Sequence, residues 1–338
     1  MKRSRIRLAD IATLDNLALA FWRAARGKRQ RPDVQRFTAH LDRELANLQH
    51  GIATLTVPVG RYQTFHIRDP KPRIIHAPCF RERVLHHAMM NHLGPVLDRG
   101  LVADTFACRE GKGAYAAALR AQHHLRRFPW HLKMDMRSYF ASIDHTVLRA
   151  ALRRRFRDPG VLALCNKVIS GYATQPAVPG RGLPIGALTS QHFANLYLGA
   201  LDRFLLETVR VAGLTRYMDD VVCYCRSRAE ARETRDRAEA FLRTELRLQL
   251  RDPGRIQRSA QGLSFVGFRI FPGTLRLSRR RMTRYRRRRR HWERAYLNGR
   301  IDALALQAGY AAALAITAHV DSRAFRRAEL LRRPAPDA

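Results

Sequence analysis

Acid is scarce in this sequence for its size. Its 338 residues carry 28 Asp and Glu against 63 Lys and Arg, a formal net charge of +35. Lysine is also scarce and stops at Lys167, so nearly all the positive charge is arginine. Such a field draws polyanions, and the planar guanidinium fork suits phosphate. Nucleic acid is the leading partner class, ahead of an acidic membrane surface and of a highly charged protein. Cysteine is sparse. Cys79, Cys108, Cys165, Cys223 and Cys225 are scattered, and no second pair completes a zinc set with Cys223 and Cys225. All five are expected as buried free thiols in a reducing cytoplasm. Long apolar runs are missing too. The opening "MKRSRIRLAD" has no apolar core behind its basic start, so no signal peptide is expected. Ala303–Val320 lacks Asp, Glu, Lys and Arg, but it is mostly alanine with Gln307, Thr317 and His319 inside. A buried helix is expected there, not a membrane span. With 46% hydrophobic residues the chain is a folded protein and not a basic tail, long enough for two or three modest domains.

The periodicities alternate in kind along the chain. "LDNLALAFWRAARG" and "TAHLDRELANLQHG" have helical apolar spacing and each ends at a glycine. "TFHIRDPKPRIIHAP" predicts a hairpin turning around Asp69–Pro72, and residues 80–99 return to helix. "HLKMDMRSYFASI" predicts a strand running into a turn, and "HTVLRAALRRRF" the helix after it. The Pro/Gly loop "PAVPGRGLPIG" leads into a long helix, "ALTSQHFANLYLGALDRFLLETV". A hairpin over Leu214–Cys225, an amphipathic helix, the short strands "LSFVGFRIF" and "TLRLS", and basic helix beyond Arg279 complete the order. The expected class is α+β, an antiparallel sheet backed by helices, without the regular βαβ repeat of a doubly wound fold.

Within "LTRYMDDVVCYC", Asp219 and Asp220 stand side by side between residues of strand type. One reading is a polar hairpin turn that happens to hold two acids; the other is a metal site. Two magnesium ions about 3.5–4 Å apart can activate a 3′-hydroxyl and stabilise a leaving pyrophosphate. Magnesium takes oxygen ligands, so aspartates from different strands must meet at one point. Asp135, closing an apolar strand before an aromatic turn, is the candidate partner. Tyr-x-Asp-Asp alone is a weak signal; with Asp135, the glycine loop and the charge it becomes a strong one. "REGKGA" (Arg109–Ala114) lacks phosphate-loop spacing and is not taken as one.

Taken in order, "KMDMRSYFASIDH", "GLPIGALTSQHFANLYLGALDRF", "RYMDDVV" and "LSFVGFRI" resemble the motifs of a reverse transcriptase. More narrowly they resemble the enzymes of diversity-generating retroelements. "PRIIHAPCFRERVLHHAMMN", "DTFACREGKGAYAAALR" and Ile185-Gly186-Ala187-Leu188-Thr189-Ser190-Gln191 in place of the usual Gln-Gly-x-x-x-Ser-Pro carry that narrower likeness. It covers about residues 45–330. The resemblance implies a right-hand polymerase: an N-terminal helical extension over 1–45, fingers over 46–130 with part of 147–185, a palm over 131–268 and a basic helical thumb over 269–338. It implies that Asp135, Asp219 and Asp220 are catalytic and hold two Mg²⁺, with Mn²⁺ as an alternative. It places Lys71 and Arg73 on the incoming triphosphate and Phe140 under its sugar, against a 2′-hydroxyl. Ile185, Gly186 and Gln191 would flank the nascent base pair, and Phe265, Val266, Gly267 and Phe268 would grip the primer end.

The run Arg276–Tyr296 is the densest in charge, with Tyr285, Trp292 and Tyr296 interleaved. It is expected to hold a template–primer backbone through Arg279, Arg280, Arg281, Arg284 and Arg287. Implied partners are template RNA, the RNA–DNA duplex, dNTPs and a small basic accessory protein, with no membrane and a cytoplasmic location. No lysine follows the amphipathic helix, which leaves Arg251 or Arg255 as charge near pyrophosphate but a poor proton donor. The leading reading is an RNA-directed DNA polymerase of the diversity-generating type, error-prone at template adenines. A group II intron or retron-like enzyme is the second; the retron signature Asn-Ala-x-x-His is absent. A non-catalytic RNA-binding protein on a polymerase scaffold is a third, against which the three intact aspartates count. An RNA-dependent RNA polymerase is a fourth, against which Phe140 counts.

Overall fold

The computed structural model describes residues 3–68, 72–172 and 178–336. Among them, nine strands form three sheets. β1 (Tyr62–Arg68) and β2 (Pro72–Pro78) make an antiparallel hairpin. β3 (Trp130–Asp135), β4 (Gly213–Tyr217), β5 (Asp220–Cys225) and β6 (Arg255–Arg258) form a sheet in the order β4-β5-β3-β6. β7 (Leu263–Phe265), β8 (Phe268–Ile270) and β9 (Leu275–Leu277) make an antiparallel meander. Helices fill most of the remainder, and the mixed class expected from the sequence is the one observed. The chain divides into two units. The first takes Met1–Ala103, Asp135–Val209 and Asp236–Asp252, the second Asp104–Met134, Arg210–Arg235 and Pro253–Ala338.

In the first unit the helix Phe80–Arg99 is the centre, buried along most of its length, and the amphipathic helix Leu14–Ala25 packs against it. Thr13 caps the latter by accepting from the Asn16 N–H. Glu82, buried on the central helix, accepts the N–H groups of Gly60 and Arg61 at 3.0 Å and so fixes the chain as it enters β1. The helix Leu41–Ala53 runs through Gly51 instead of stopping there. Val57 turns back to donate its N–H to the Gly51 carbonyl at 2.9 Å, and its backbone lies where a longer side chain would sit. Two further helices, Ala114–Arg127 and Pro159–Ser170, and strand β6 go beyond the elements expected from the sequence.

In the second unit β5 is buried at every residue after Asp220, which explains its unbroken run of Val, Cys and Tyr. Val222 and Tyr224 pack with Leu125 of the helix Ala114–Arg127 and with Phe265, Phe268 and Ile270 of the meander. Cys165, Cys223 and Cys225 are buried thiols outside any disulfide, but Cys79 is only half-buried and Cys108 is exposed. Cys108 departs from expectation because it lies in a loop at φ 54, outside any packed strand or helix.

The C-terminal helices are Arg279–Leu297, Ala303–Leu314 and Arg323–Arg332. The alanine-rich one is shorter than expected and is not buried. Only Leu306, Gly309 and Ala313 face inward, and Leu304 is 74% exposed. Small side chains there let it lie against its neighbour, with the Gly309 Cα facing the Trp292 indole where an added Cβ would collide with the ring. No helix among the described residues is long and apolar enough to cross a membrane.

One arginine of the basic run turns inward. Arg289 is 3% exposed and donates its Nε to Glu293, itself 1% exposed, at 2.5 Å. Tyr310 donates to the same carboxylate at 3.1 Å, and Arg333 approaches it at 3.0 Å. Removing one member of a buried pair leaves an uncompensated charge, which costs roughly 3–5 kcal/mol. Glu293→Ala should therefore lower the unfolding free energy of the second unit, read from a urea titration, by a corresponding amount, and an unchanged value would mean that the pair does not support this unit.

Candidate active site

Asp135 closes β3 and belongs with the first unit. Its carbonyl accepts the Arg251 N–H at 2.9 Å, and the Arg251 guanidinium pairs with its half-buried carboxylate. The following residues stay extended long enough for the Arg137 N–H to reach the Gln249 carbonyl at 2.9 Å. Ser138 then takes a left-handed conformation at φ 46 and starts the short helix Tyr139–Ser142. Phe140 sits half-buried on that helix, edge-on to Tyr139.

A ladder of hydrogen bonds ties this turn to the glycine-rich loop and the loop to β2. Leu183 donates to the Phe140 carbonyl and Gly182 to that of Ile143, both at 2.8 Å. The buried His145 ring bonds the Gly182 carbonyl at 2.8 Å. The His76 N–H on β2 donates to the Ile185 carbonyl at 2.8 Å. Gly186 follows at φ 121, and a Cβ there would lie 2.9 Å from Ile75 Cγ2 and 3.2 Å from the His76 carbonyl. Conformation and close approach both require glycine at this point. Gln191 stands half-buried in the first turns of the helix Leu188–Arg203, and Arg73 is exposed on β2. Ile185, Gly186 and Phe140 are thus laced to one another through the 182–186 loop. Lys71 lies outside the described residues.

In the second unit, Met218 and Asp219 form the two-residue turn between β4 and β5, with Met218 at φ 57. Arg216 is fully buried behind it and donates to the Met218 carbonyl at 3.0 Å and to Thr105 Oγ1 at 3.4 Å. An always-charged group with five donors is used here as a brace for the acidic turn. Asp220 opens β5, and its carboxylate stands 3.0 Å from Lys133 Nζ. Lys133 also donates to the Ser264 carbonyl at 3.0 Å and lies 5.9 Å from the centre of the Phe265 ring. One ammonium therefore joins Asp220 to the β7–β8 hairpin.

That hairpin turns on Val266 and Gly267, both at positive φ, as a two-residue turn of the I′ kind demands. Phe265 and Phe268 are 2% exposed and anchor it in the core. The Arg281 guanidinium lies 3.9 Å from the Phe268 ring centre, and burial, then Arg284 and Arg280, push it below its ordinary pKa. It is half-buried, whereas Arg279, Arg280, Arg284 and Arg287 are exposed on the same helix. Lys133 and Arg216 were not among the expected site residues, nor was Arg251 expected as a partner of Asp135. A signal for Lys133 was present: it alternates with Asp135 around buried Met134 on one strand.

Among the described residues no group of three or more His, Cys, Asp and Glu side chains forms a ready metal ligand set. Asp135 and Asp220 instead take basic counter-ions, Arg251 and Lys133. As hard oxygen donors on a turn and at two strand ends, the three aspartates nevertheless match the chemistry of a divalent cation such as magnesium.

The profile of the family described as "Reverse transcriptase (RNA-dependent DNA polymerase)" matches residues 67–270. The chain belongs to the reverse transcriptase family. The match runs from the β1–β2 hairpin to the end of β8 and so takes in Asp135, the 182–186 loop, Asp219, Asp220 and the hairpin at Val266 and Gly267. Reverse transcriptases are RNA-directed DNA polymerases and work with divalent metal ions. Protein YkfC of Escherichia coli K12 is 23% identical over 259 residues, covering 62% of this chain and 68% of YkfC. Group II intron-encoded protein LtrA of Lactococcus lactis subsp. cremoris is 24% identical over 153 residues, 44% of this reverse transcriptase and 26% of LtrA. A telomerase from Candida albicans, solved with a fragment of telomeric RNA, aligns with TM-score 0.47 at 12% identity, over 70% of this chain and 49% of that one.

The Gly186 constraint gives a direct test. Gly186→Ala introduces a Cβ at an unfavourable φ and against Ile75, so it should lower both thermal stability and primer extension. Full activity and an unchanged melting temperature would mean that the loop can move away from β2.

Proposed function

We propose that the protein copies an RNA template into cDNA by two-metal nucleotidyl transfer, and that it does so inaccurately at template adenines, as diversity-generating enzymes do. The carrying observation for the chemistry is that β3, ending in Asp135, is the sheet neighbour of β5, which opens with Asp220. In this reading Asp135, Asp219 and Asp220 hold two Mg²⁺, with Mn²⁺ as an alternative. Bound there, the ions would lower the pKa of the 3′-hydroxyl and neutralise the leaving pyrophosphate.

The chain's own residues do the rest. Lys71 and Arg73 pair with the triphosphate through charge-assisted bonds. Phe140 lies under the sugar and leaves no room for a 2′-hydroxyl. Gly186 and Gln191 flank the nascent pair, and the Phe265–Phe268 turn holds the primer end. Arg280, Arg284 and Arg287, spaced to share a helix face, run along the duplex phosphates with Arg279 and Arg281. Arg251 pairs with Asp135 and supplies charge near the pyrophosphate, but a guanidinium is a poor proton donor. Fingers over 46–130, palm over 131–268 and thumb over 269–338 follow as functional divisions, with a cytoplasmic location and a small basic accessory protein as further parts of the proposal.

Asp135→Ala and Asp219→Ala should each abolish extension of oligo(dT) on poly(rA) with Mg²⁺ and dTTP, while RNA binding stays largely intact. Extension at the wild-type rate by either variant would remove that residue from the metal site.

The likeness to LtrA favours a second reading, a group II intron-type enzyme. Ile185 separates the two. A glutamine there can hydrogen-bond near the incoming nucleotide, whereas isoleucine supplies only apolar contact. Discrimination by apolar fit is small, roughly 1–3 kcal/mol per feature. The Ile185 carbonyl is held by His76, so exchange of its side chain need not move the loop. Sequenced cDNA from a defined RNA should show frequent errors, chiefly at adenines, and fewer with Ile185→Gln. Wild-type accuracy at adenine equal to that at the other bases would reject the diversity-generating reading and leave the polymerase reading standing.

A further inference from the structure

The first unit contains a cavity of about 660 Å³ lined by Arg3, Arg153, Arg154, Arg155 and Arg203 over a floor that includes Leu101 and Leu196. None of its lining residues is acidic, and none belongs to the metal, nucleotide or primer assignments above. The Arg155 and Arg203 side chains are held in place, and a backbone pairing brings in Arg3. The Ser4 N–H donates to the Arg155 carbonyl at 2.7 Å and Ser4 bridges Phe156, which brings Arg3 to the rim. Arg203 donates to the Gly100 carbonyl at 2.9 Å, and Arg155 reaches the same oxygen at 3.5 Å. A Cβ on Gly100 would lie 2.7 Å from Arg155 Cζ, so the glycine is what lets that guanidinium rest on the backbone. Burial first, then Arg203 and Arg154, press Arg155 below its ordinary pKa. Glu207 pairs with Arg203 at 3.1 Å from outside the lining.

We infer that this cavity is a second RNA-binding site, taking closely spaced phosphates of a single strand on its arginines and a sugar or base on its apolar floor. Planar guanidinium forks match phosphate oxygens in pairs, and a cavity of this size suits a nucleotide unit. The inference goes beyond nucleotidyl transfer and requires only that the protein meets RNA.

The test uses full-length protein preincubated with excess unlabelled template–primer duplex, so that the polymerising groove is filled, and a labelled single-stranded RNA oligonucleotide read by anisotropy across salt concentrations. The variant Arg3→Gln/Arg153→Gln/Arg154→Gln changes only exposed side chains, and Arg36→Gln/Arg43→Gln/Arg232→Gln is the charge-matched control. Each phosphate that the protein ceases to neutralise flattens the logarithmic salt slope by about 0.7 for a single strand, so the cavity variant should flatten it by about two. The control should bind as wild type does, and primer extension by the cavity variant should persist, which separates this inference from the polymerase reading. Equal flattening in both variants, or in neither, would overturn it, as would absence of RNA binding once the groove is filled. Competition by ATP at matched phosphate would identify free nucleotide as the source of the phosphates. Binding of polyglutamate that the cavity variant loses, with RNA binding unchanged, would overturn the inference in favour of an acidic protein partner.

Discussion

Lys133 Nζ stands 3.0 Å from the Asp220 carboxylate and 3.0 Å from the Ser264 carbonyl, with the Phe265 ring beside it. A compact ammonium with three donors can serve all three at once. One charge therefore links Asp220 to the β7–β8 hairpin. Arg216 also acts on this turn, bracing its backbone through the Met218 carbonyl. An acidic turn inside an apolar hairpin is stable in such a setting because its neighbours are cationic by construction.

The arginine excess has more than one use. Arg216 and Arg289 are buried and structural, each engaged by several acceptors. Arg251 is the counter-ion of Asp135. Arg281 lies flat on an aromatic ring. These arginines have internal partners, and the guanidinium groups that face solvent are the ones placed to meet a polyanion. A lysine at these buried or stacked positions would lose the planar fork that lets one side chain satisfy several partners.

Much of this was legible in the sequence. The hairpin of Leu214–Cys225, the strand ending at Asp135 and the helix after the 182–186 loop follow from local periodicity, and that signal is strong where one element is long and amphipathic or wholly apolar. Strand β6, "RIQR", was not legible because it is polar and short, and it becomes a strand only by pairing with β3. The Ala303–Leu314 helix misled for the opposite reason: alanine is apolar enough to look buried and small enough to stay at the surface. The partnerships of Lys133 with Ser264 and of Arg155 with Gly100 join residues far apart in the chain, which no local pattern encodes.

The chain enters and leaves each unit more than once before either is complete. The first unit takes its last segment from Asp236–Asp252, and the second needs the meander and helices that follow Pro253. During synthesis, then, β3 emerges long before its partner β6, and the early helices emerge before the segment that carries Arg251. The apolar strand β3 must wait, unpaired on both edges, for β5 and β6, which are not yet made. Such non-local closure slows folding and prolongs exposure of sticky surface. The dense positive charge spread along the same chain offers a remedy, since segments that repel one another are slow to aggregate while they wait.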